Sequence, residues 1–97
     1  MRKRIILKGR ESNYTIDDDL IVRNNDDYIM KPILWLKGRY YMYSFSVDGK
    51  KVRVQTHRLI GEYFIPLPEG FDDISELQIN HKDGNGLNNS LENLEWV

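Results

Sequence analysis

The segment YYMYSFSVDGKKVRVQ, residues 40–55, consists of two alternating runs on either side of Asp48-Gly49. An Asp-Gly pair between alternating runs is typical of a two-residue β-hairpin, because glycine readily adopts the positive φ that the tight turn requires. We therefore predict antiparallel strands at 40–47 and 50–55. One face of this hairpin is apolar, and we interpret it as a packed sheet face, with a base-stacking platform as the alternative: Tyr41, Tyr43, Phe45, Val47, Val52 and Val54.

Directly after the hairpin, the apolar period changes to that of a helix. Thr56 is the predicted N-cap of this helix, and Pro66 is predicted to end it. His57, at the start of the helix, is interpreted as a capping or core histidine. The stripe that predicts the helix over residues 56–64 is formed by Leu59, Ile60, Tyr63 and Phe64.

Short strands are predicted on both sides of this central unit. Upstream, residues 14–16 and 20–23 flank a polar turn, and a first strand is expected within residues 1–8. Downstream, residues 79–81 are expected to pair with 94–96 and to enclose a loop rich in glycine and asparagine.

The predicted fold class is therefore α+β. We expect a small β-rich single domain over residues 1–97, with a central antiparallel hairpin, one short helix and a C-terminal hairpin. Residues 1–39 form its β-rich N-terminal segment, and residues 40–97 form the second segment. The chain has no cysteine, which excludes disulfides, zinc-thiolate sites and thiol catalysis. Apolar runs are too short for a signal peptide or a membrane span, so we expect a cytoplasmic protein without a membrane partner.

The net charge of −1 is unevenly distributed along the chain. Residues 31–60 contain seven Lys or Arg residues against one Asp, whereas residues 61–97 contain one Lys against eight acids. Basic side chains supply most of the affinity of proteins for nucleic acids, because they neutralise phosphates. The candidate contacts to a nucleic acid or a phosphate are Arg39, Lys50, Lys51, Arg53, Arg58 and Lys82.

The second segment resembles the HNH endonuclease family, in particular its homing-endonuclease-like branch in bacteriophages. The resemblance covers about residues 40–97, and order and spacing both agree. It is carried by His57-Arg58-Leu59-Ile60 with Phe64-Ile65-Pro66, then by Ile79-Asn80-His81-Lys82-Asp83-Gly84-Asn85, Asn88-Asn89 and Asn93-Leu94-Glu95-Trp96.

This resemblance implies a two-stranded hairpin followed by a helix that together hold one divalent cation, Mg²⁺ or a similar ion. His81 would be the general base that takes a proton from the attacking water. Asn80 would be a metal ligand, at a position that is often Asp. Asn93 would be the middle residue of the motif, whose amide holds the intervening loop and thereby the catalytic histidine.

In the family, a third motif residue lies on the closing helix, and counted along this sequence it falls beyond Val97. We therefore expect an incomplete ββα-metal hairpin, with or without a bound cation. The favoured interpretation is a non-catalytic protein that binds a nucleic acid, a nucleotide signal or a host defence protein as an inhibitor, in the host cytoplasm if it is phage-encoded. The alternatives are an active HNH DNA endonuclease or nickase, completed by a partner chain or by Asp83, and a truncated fragment of one. Assembly into a homo-oligomer is a further alternative.

Overall fold

The computed structural model describes residues 1–71 and 73–97, and the strands in these ranges form three antiparallel sheets. The first sheet has the order β1-β2-β3-β4, the second β5-β6-β7, and the third is the hairpin β8-β9. The predicted α+β class is confirmed. The elements are β1 (Lys3–Leu7), β2 (Arg10–Ile16), β3 (Val22–Arg23), β4 (Ile29–Met30), β5 (Ile33–Trp35), β6 (Tyr40–Val47), β7 (Lys50–Gln55), helix α1 (Thr56–Phe64), β8 (Ile79–His81), a 3₁₀ turn (Leu91–Asn93) and β9 (Leu94–Trp96).

The central hairpin has the predicted strands and turn. Asp48 and Gly49 have φ values of 51° and 78°, as a two-residue turn between twisted strands requires. In the register, Tyr43 lies opposite Val54 and Phe45 opposite Val52. Because Tyr43 and Phe45 are buried, this face packs against the rest of the protein and does not present stacked rings to a base.

The buried face of β6 joins the other elements into one core. The ring of Tyr14 on β2 lies 4.5 Å from that of Phe45, and it attaches the first sheet to the second. Helix α1 adds Leu59 and Ile60 to the same cluster, and the C-terminal hairpin adds Leu94. Burying one large apolar side chain contributes about 1.5–3 kcal/mol, so Phe45 is a major contribution to the stability of the fold.

Helix α1 holds the C-terminal hairpin by a close approach. A Cβ atom at Gly61 would lie 2.4 Å from Cδ1 of Ile79, so the glycine lets the helix lie directly against β8. At the end of the helix, the indole Nε1 of Trp96 donates a hydrogen bond to the carbonyl oxygen of Ile65 at 3.1 Å. No helix in the described ranges is both long and apolar enough to cross a membrane.

Two details differ from the sequence-based expectations. Thr56 is not the N-cap: the cap is Gln55, without a side-chain hydrogen bond, and Oγ1 of Thr56 is buried without a partner in the described part of the chain. The helix follows β7 with no linking residue, so Thr56 already lies in the first turn. The strand predicted at 20–23 is limited to Val22–Arg23, because Leu20 has a φ of 63° and closes a turn onto Asp17.

The loop of the C-terminal hairpin packs against the start of β6 through Gly86. A Cβ atom here would lie 2.2 Å from the backbone oxygen of Arg39 and 2.6 Å from the ring of Tyr40. Gly86→Ala should therefore lower the free energy of unfolding by about 1–3 kcal/mol, since the backbone of β6 cannot yield as a side chain would. Urea denaturation checks this, with Lys82→Ala, an exposed change in the same loop, as the control. An unchanged stability for Gly86→Ala would contradict this packing.

Candidate active site

His81 ends strand β8 and lines a cavity of about 570 Å³. The cavity lies where the start of β6, the start of α1 and the C-terminal hairpin meet. His81 is only 8% exposed, so its ring is held in the wall of the cavity rather than extending into solvent. The side chains that matter for the chemistry of this cavity are Trp35, Tyr40, His57, Arg58, Asn80 and His81.

One hydrogen bond determines which nitrogen of His81 is free. Nε2 lies 2.8 Å from Oδ1 of Asn89. An amide oxygen can only accept, so Nε2 carries the ring proton in the neutral form and Nδ1 keeps its lone pair. His81 can therefore accept a proton at Nδ1 while Asn89 fixes the orientation of the ring. The sequence placed Asn89 in the motif but did not indicate that it would bind the ring of His81.

Asn93 connects the two ends of the loop that carries these residues. Its Nδ2 donates to Oδ1 of Asp83 at 3.0 Å and to the carbonyl oxygen of Asn88 at 2.8 Å. Its Oδ1 accepts from the backbone N–H of Asp83 at 3.1 Å. Both amide hydrogens are thus used within the loop, in keeping with the predicted holding role, while a part for Asn93 in catalysis stays a prediction.

Asp83 is the acceptor at the centre of this loop. Its carboxylate accepts from Nδ2 of Asn88 at 3.0 Å and from the backbone N–H of Asn85 at 2.8 Å, in addition to Asn93. These donors, Asn88 first, lower the pKa of the Asp83 carboxyl below its ordinary value. Asp83 is therefore an ionised structural group of the loop, and its occupied oxygens do not favour the expected alternative in which it completes a metal site.

Asn80 lies beside His81 in sequence but is exposed and pairs across the hairpin with Glu95. Its Nδ2 donates a hydrogen bond to Oε2 of Glu95 at 3.4 Å, so the two side chains lie beside each other on neighbouring strands. No group of three His, Asp or Glu side chains converges among residues 1–71 and 73–97. Mg²⁺ keeps several waters and uses one or two protein oxygens with substrate phosphates, so Asn80 and Glu95 fit such a partly hydrated ion.

The six basic residues singled out in the sequence fall into two groups. Arg58 makes contacts within the protein: its guanidinium donates to the carbonyl oxygens of Ile74 and Leu77 and lies 5.4 Å from the ring of Trp96. The others have exposed side chains: Arg39 before β6, Lys82 directly after His81, and Lys50, Lys51 and Arg53 on β7.

His57 lies in the same cavity wall as His81. The two ring centroids are 4.8 Å apart with one edge towards the other ring, and the ring of Tyr40 lies 5.4 Å from His57 and 5.9 Å from His81. Of the two roles expected for His57, capping is wrong because Gln55 is the N-cap, whereas its burial agrees with a core histidine. Burial is the main cause that lowers the pKa of His57 to about 4, with smaller contributions from His81 and Arg58.

This shift makes the stability dependent on pH. The native pKa of about 4 lies below the ordinary value of 6.5, so the unfolded chain binds this proton first as the pH falls. Neutral His57 therefore makes its full contribution to the free energy of unfolding above about pH 6.5, and this contribution should be lost as the pH falls towards 4. We expect the free energy of unfolding, from urea denaturation, to fall over this range, and to fall less steeply in His57→Gln.

Glu62, whose pKa burial raises, acts in the opposite direction but is common to both proteins, so the comparison cancels its effect. Equal losses of stability in the wild type and in His57→Gln would show that His57 is not the titrating group.

Known proteins resemble this chain in sequence and in fold. The family profile described as HNH endonuclease matches residues 54–97. The uncharacterized HNH endonuclease L245 of Acanthamoeba polyphaga mimivirus is 38% identical over 85 residues, which cover 88% of this chain and 24% of that protein. The DNA endonuclease I-HmuI of Bacillus phage SP01 is 31% identical over 96 residues, which cover 94% of this chain and 49% of that protein.

A solved structure supports the same relationship. The structure described as "DNA binding and cleavage by the HNH homing endonuclease I-HmuI" superposes with a TM-score of 0.74 at 32% identity, over 100% of this chain and 52% of that one. The chain thus spans between a quarter and about half of the length of these relatives. Profile, relatives and fold all confirm the resemblance seen in residues 40–97, and the chain belongs to the HNH endonuclease family.

Proposed function

We propose that this chain forms the catalytic hairpin of a divalent-metal-dependent DNA endonuclease, with His81 as the general base for phosphodiester hydrolysis. The observation that carries this proposal is the hydrogen bond from Nε2–H of His81 to Oδ1 of Asn89, which leaves Nδ1 as a proton acceptor in the wall of the 570 Å³ cavity. A general base must have its lone pair presented where a water can reach it.

In this mechanism, a water in the cavity loses a proton to Nδ1 of His81 as its oxygen bonds to the phosphorus. The bond from the phosphorus to the leaving ester oxygen breaks, and that oxygen takes a proton from solvent. The imidazolium that forms keeps its Nε2–H donated to Asn89, whose Oδ1 is a better partner for a cation than for a neutral ring. Asn93 and Asp83 hold the loop on which Asn89 stands, so the ring does not reorient as it gains charge. Fixed geometry of this kind reduces the reorganisation needed at the moment of reaction.

Asn80 and Glu95 would hold the cation, together with waters and a phosphate oxygen of the substrate. When bound, the cation would stabilise the negative charge that develops on the phosphate and on the leaving oxygen. Because Asn80 contributes no charge, the ion should bind weakly in the absence of DNA.

DNA would approach over the outer face of the second sheet. On this face Arg53 lies opposite Ser44 and Lys51 opposite Ser46, with their side chains directed away from the aromatic core. Gln55 continues the row and lines the cavity, so the basic face leads to the candidate site. The relative I-HmuI is named a DNA endonuclease, and its solved structure is described as one of DNA binding and cleavage, which supports DNA as the substrate here.

A second candidate function is binding without catalysis, the interpretation favoured by the sequence. It is supported by the neutral metal ligand Asn80 and by the excess of acids in residues 61–97. A nucleotide or host-protein ligand, an inhibitory role against host defence and a homo-oligomer stay predictions. A DNA cleavage assay separates the two functions.

His81→Ala should lower the rate of Mg²⁺- or Mn²⁺-dependent nicking of duplex DNA by about 10²–10⁴-fold, since it removes the general base. Asn89→Ala should lower the rate less, because the base remains but its orientation is lost. The assay is conversion of supercoiled plasmid to the open circle, with Tyr28→Ser, an exposed aromatic outside the cavity, as the control. DNA bound but uncut by the wild type would favour the binding function instead.

Arg53→Glu should weaken binding to a duplex oligonucleotide and should reduce the slope of log affinity against log salt by about 1 or more, since one phosphate contact is lost. Fluorescence anisotropy over a series of salt concentrations measures both quantities. Arg4→Glu is the matched control, because Arg4 is an exposed basic residue on the first sheet, where it contacts Asn25. Equal slopes for Arg53→Glu and the wild type would exclude this face as the DNA surface.

A further inference from the structure

His57 is the second imidazole of the cavity, and the proposed mechanism does not use it. Its side chain is only 8% exposed, yet Nδ1 has no hydrogen-bond partner in the described part of the chain. Buried polar atoms without partners are uncommon, and each one calls for a reason. His57 lies in the wall of the same cavity as His81, and the unpartnered Nδ1 limits which ligand of that cavity the ring can bind.

The surroundings of the ring determine where its proton lies. Nδ1 is fully buried and faces no acceptor among the described residues, so a proton on Nδ1 would be an unsatisfied buried N–H. Unsatisfied acceptors are tolerated somewhat more often than unsatisfied donors. The neutral ring therefore carries its proton on Nε2, which is not among the fully buried atoms without a partner and so is the ring nitrogen that a ligand of the cavity can reach.

This tautomer distinguishes between two possible ligands of His57. A cation would need the lone pair of Nε2, and a metal-bound histidine almost always donates its other N–H to a carboxylate, a carbonyl or a water. Nδ1 has no such partner within the described ranges, so His57 is poorly suited to bind a metal. An anion that accepts from Nε2–H requires no partner at Nδ1. The ring is therefore suited to a phosphate oxygen.

The rings around His57 hold it in one orientation. Tyr40 lies against both histidines, and Gly86 of the hairpin loop packs directly on Tyr40. The His57 and His81 centroids are 4.8 Å apart, so a phosphate attacked by a water at His81 also lies within reach of His57.

We propose that His57 is a further catalytic residue, a neutral imidazole that donates a hydrogen bond from Nε2 to a non-bridging oxygen of the phosphate on which His81 acts. This assignment deepens the proposed function and rests on DNA as the substrate. Negative charge on the non-bridging oxygens is stabilised by a donor that is already in place. His57 and His81 thus have opposite roles: His57 donates, and His81 accepts.

The first test concerns the wild-type protein alone. Long-range ¹H–¹⁵N correlation spectra of the ¹⁵N-labelled protein at neutral pH report which ring nitrogen carries the proton. We expect the Nε2–H tautomer for His57, with a shift of its Nε2 resonance when a short duplex oligonucleotide is added without divalent cations. An Nδ1–H tautomer, or an Nε2 resonance that moves with Mg²⁺ and not with the duplex, would overturn the proposal.

The second test compares two substitutions in binding to the same duplex without divalent cations. His57→Phe removes the donor and should weaken binding roughly 10- to 100-fold, as expected for one hydrogen bond to a charged group. His57→Gln keeps an N–H donor and should recover most of this loss. Tyr28→Ser serves as the control outside the cavity.

A duplex with uncharged methylphosphonate linkages separates phosphate binding from a structural role. With this probe the difference between wild type and His57→Phe should become much smaller, because one non-bridging oxygen is replaced by a methyl group and the other carries no charge, whereas a merely structural role would preserve the full difference. If His57→Phe does not fold, as judged by circular dichroism, the tautomer and His57→Gln still decide the question. A protein that binds DNA through His57 but never cuts it would refute the proposed endonuclease activity and the catalytic role of His57, and would leave only the hydrogen bond from His57 to the phosphate. If the protein cuts DNA but His57→Phe binds DNA as tightly as the wild type does, the endonuclease activity would stand and the role proposed for His57 would be refuted.

Discussion

The burial of the aromatic face of the β6–β7 hairpin is the constraint on which the rest of the structure depends. Phe45 is completely buried, and the first sheet reaches it through the ring of Tyr14. Helix α1 leaves the end of β7 without a linker and packs on β6, and the C-terminal hairpin packs in turn on that helix at Gly61. Because β6, α1 and the C-terminal hairpin surround the candidate site, the packing of this core also determines where the site lies.

The loop between β8 and β9 is held in a different way, by amide and carboxylate hydrogen bonds rather than by apolar packing. Asn93 and Asp83 exchange two hydrogen bonds across the loop, and Asn88 adds a further donor to Asp83. Such a network defines a conformation with little buried apolar surface. Gly86 then fits the loop against Tyr40, so the loop and the core share one wall of the cavity.

Within this wall, two histidines have different chemical states because their partners differ. His81 has Asn89 as an acceptor for Nε2, and its Nδ1 remains available as a base. His57 has no partner at Nδ1 in the part of the chain that the structure describes, and its burial lowers its pKa to about 4, so it is neutral at physiological pH. The two ring centroids lie 4.8 Å apart, so the proposed roles, proton acceptor for His81 and neutral donor for His57, suit a phosphate attacked by water.

The sequence by itself determined the features that depend on near neighbours. Alternation and the Asp48-Gly49 turn predicted the central hairpin, and the helical period predicted α1. The two short runs around the loop rich in glycine and asparagine predicted the pairing of residues 79–81 with 94–96, and the motif indicated the family. Only the tertiary structure decided that Arg58 donates hydrogen bonds to the carbonyl oxygens of Ile74 and Leu77, and that His57 lines the same cavity as His81. Contacts of this kind join side chains 16 or more residues apart, so they follow from the packing of whole elements and no local pattern encodes them.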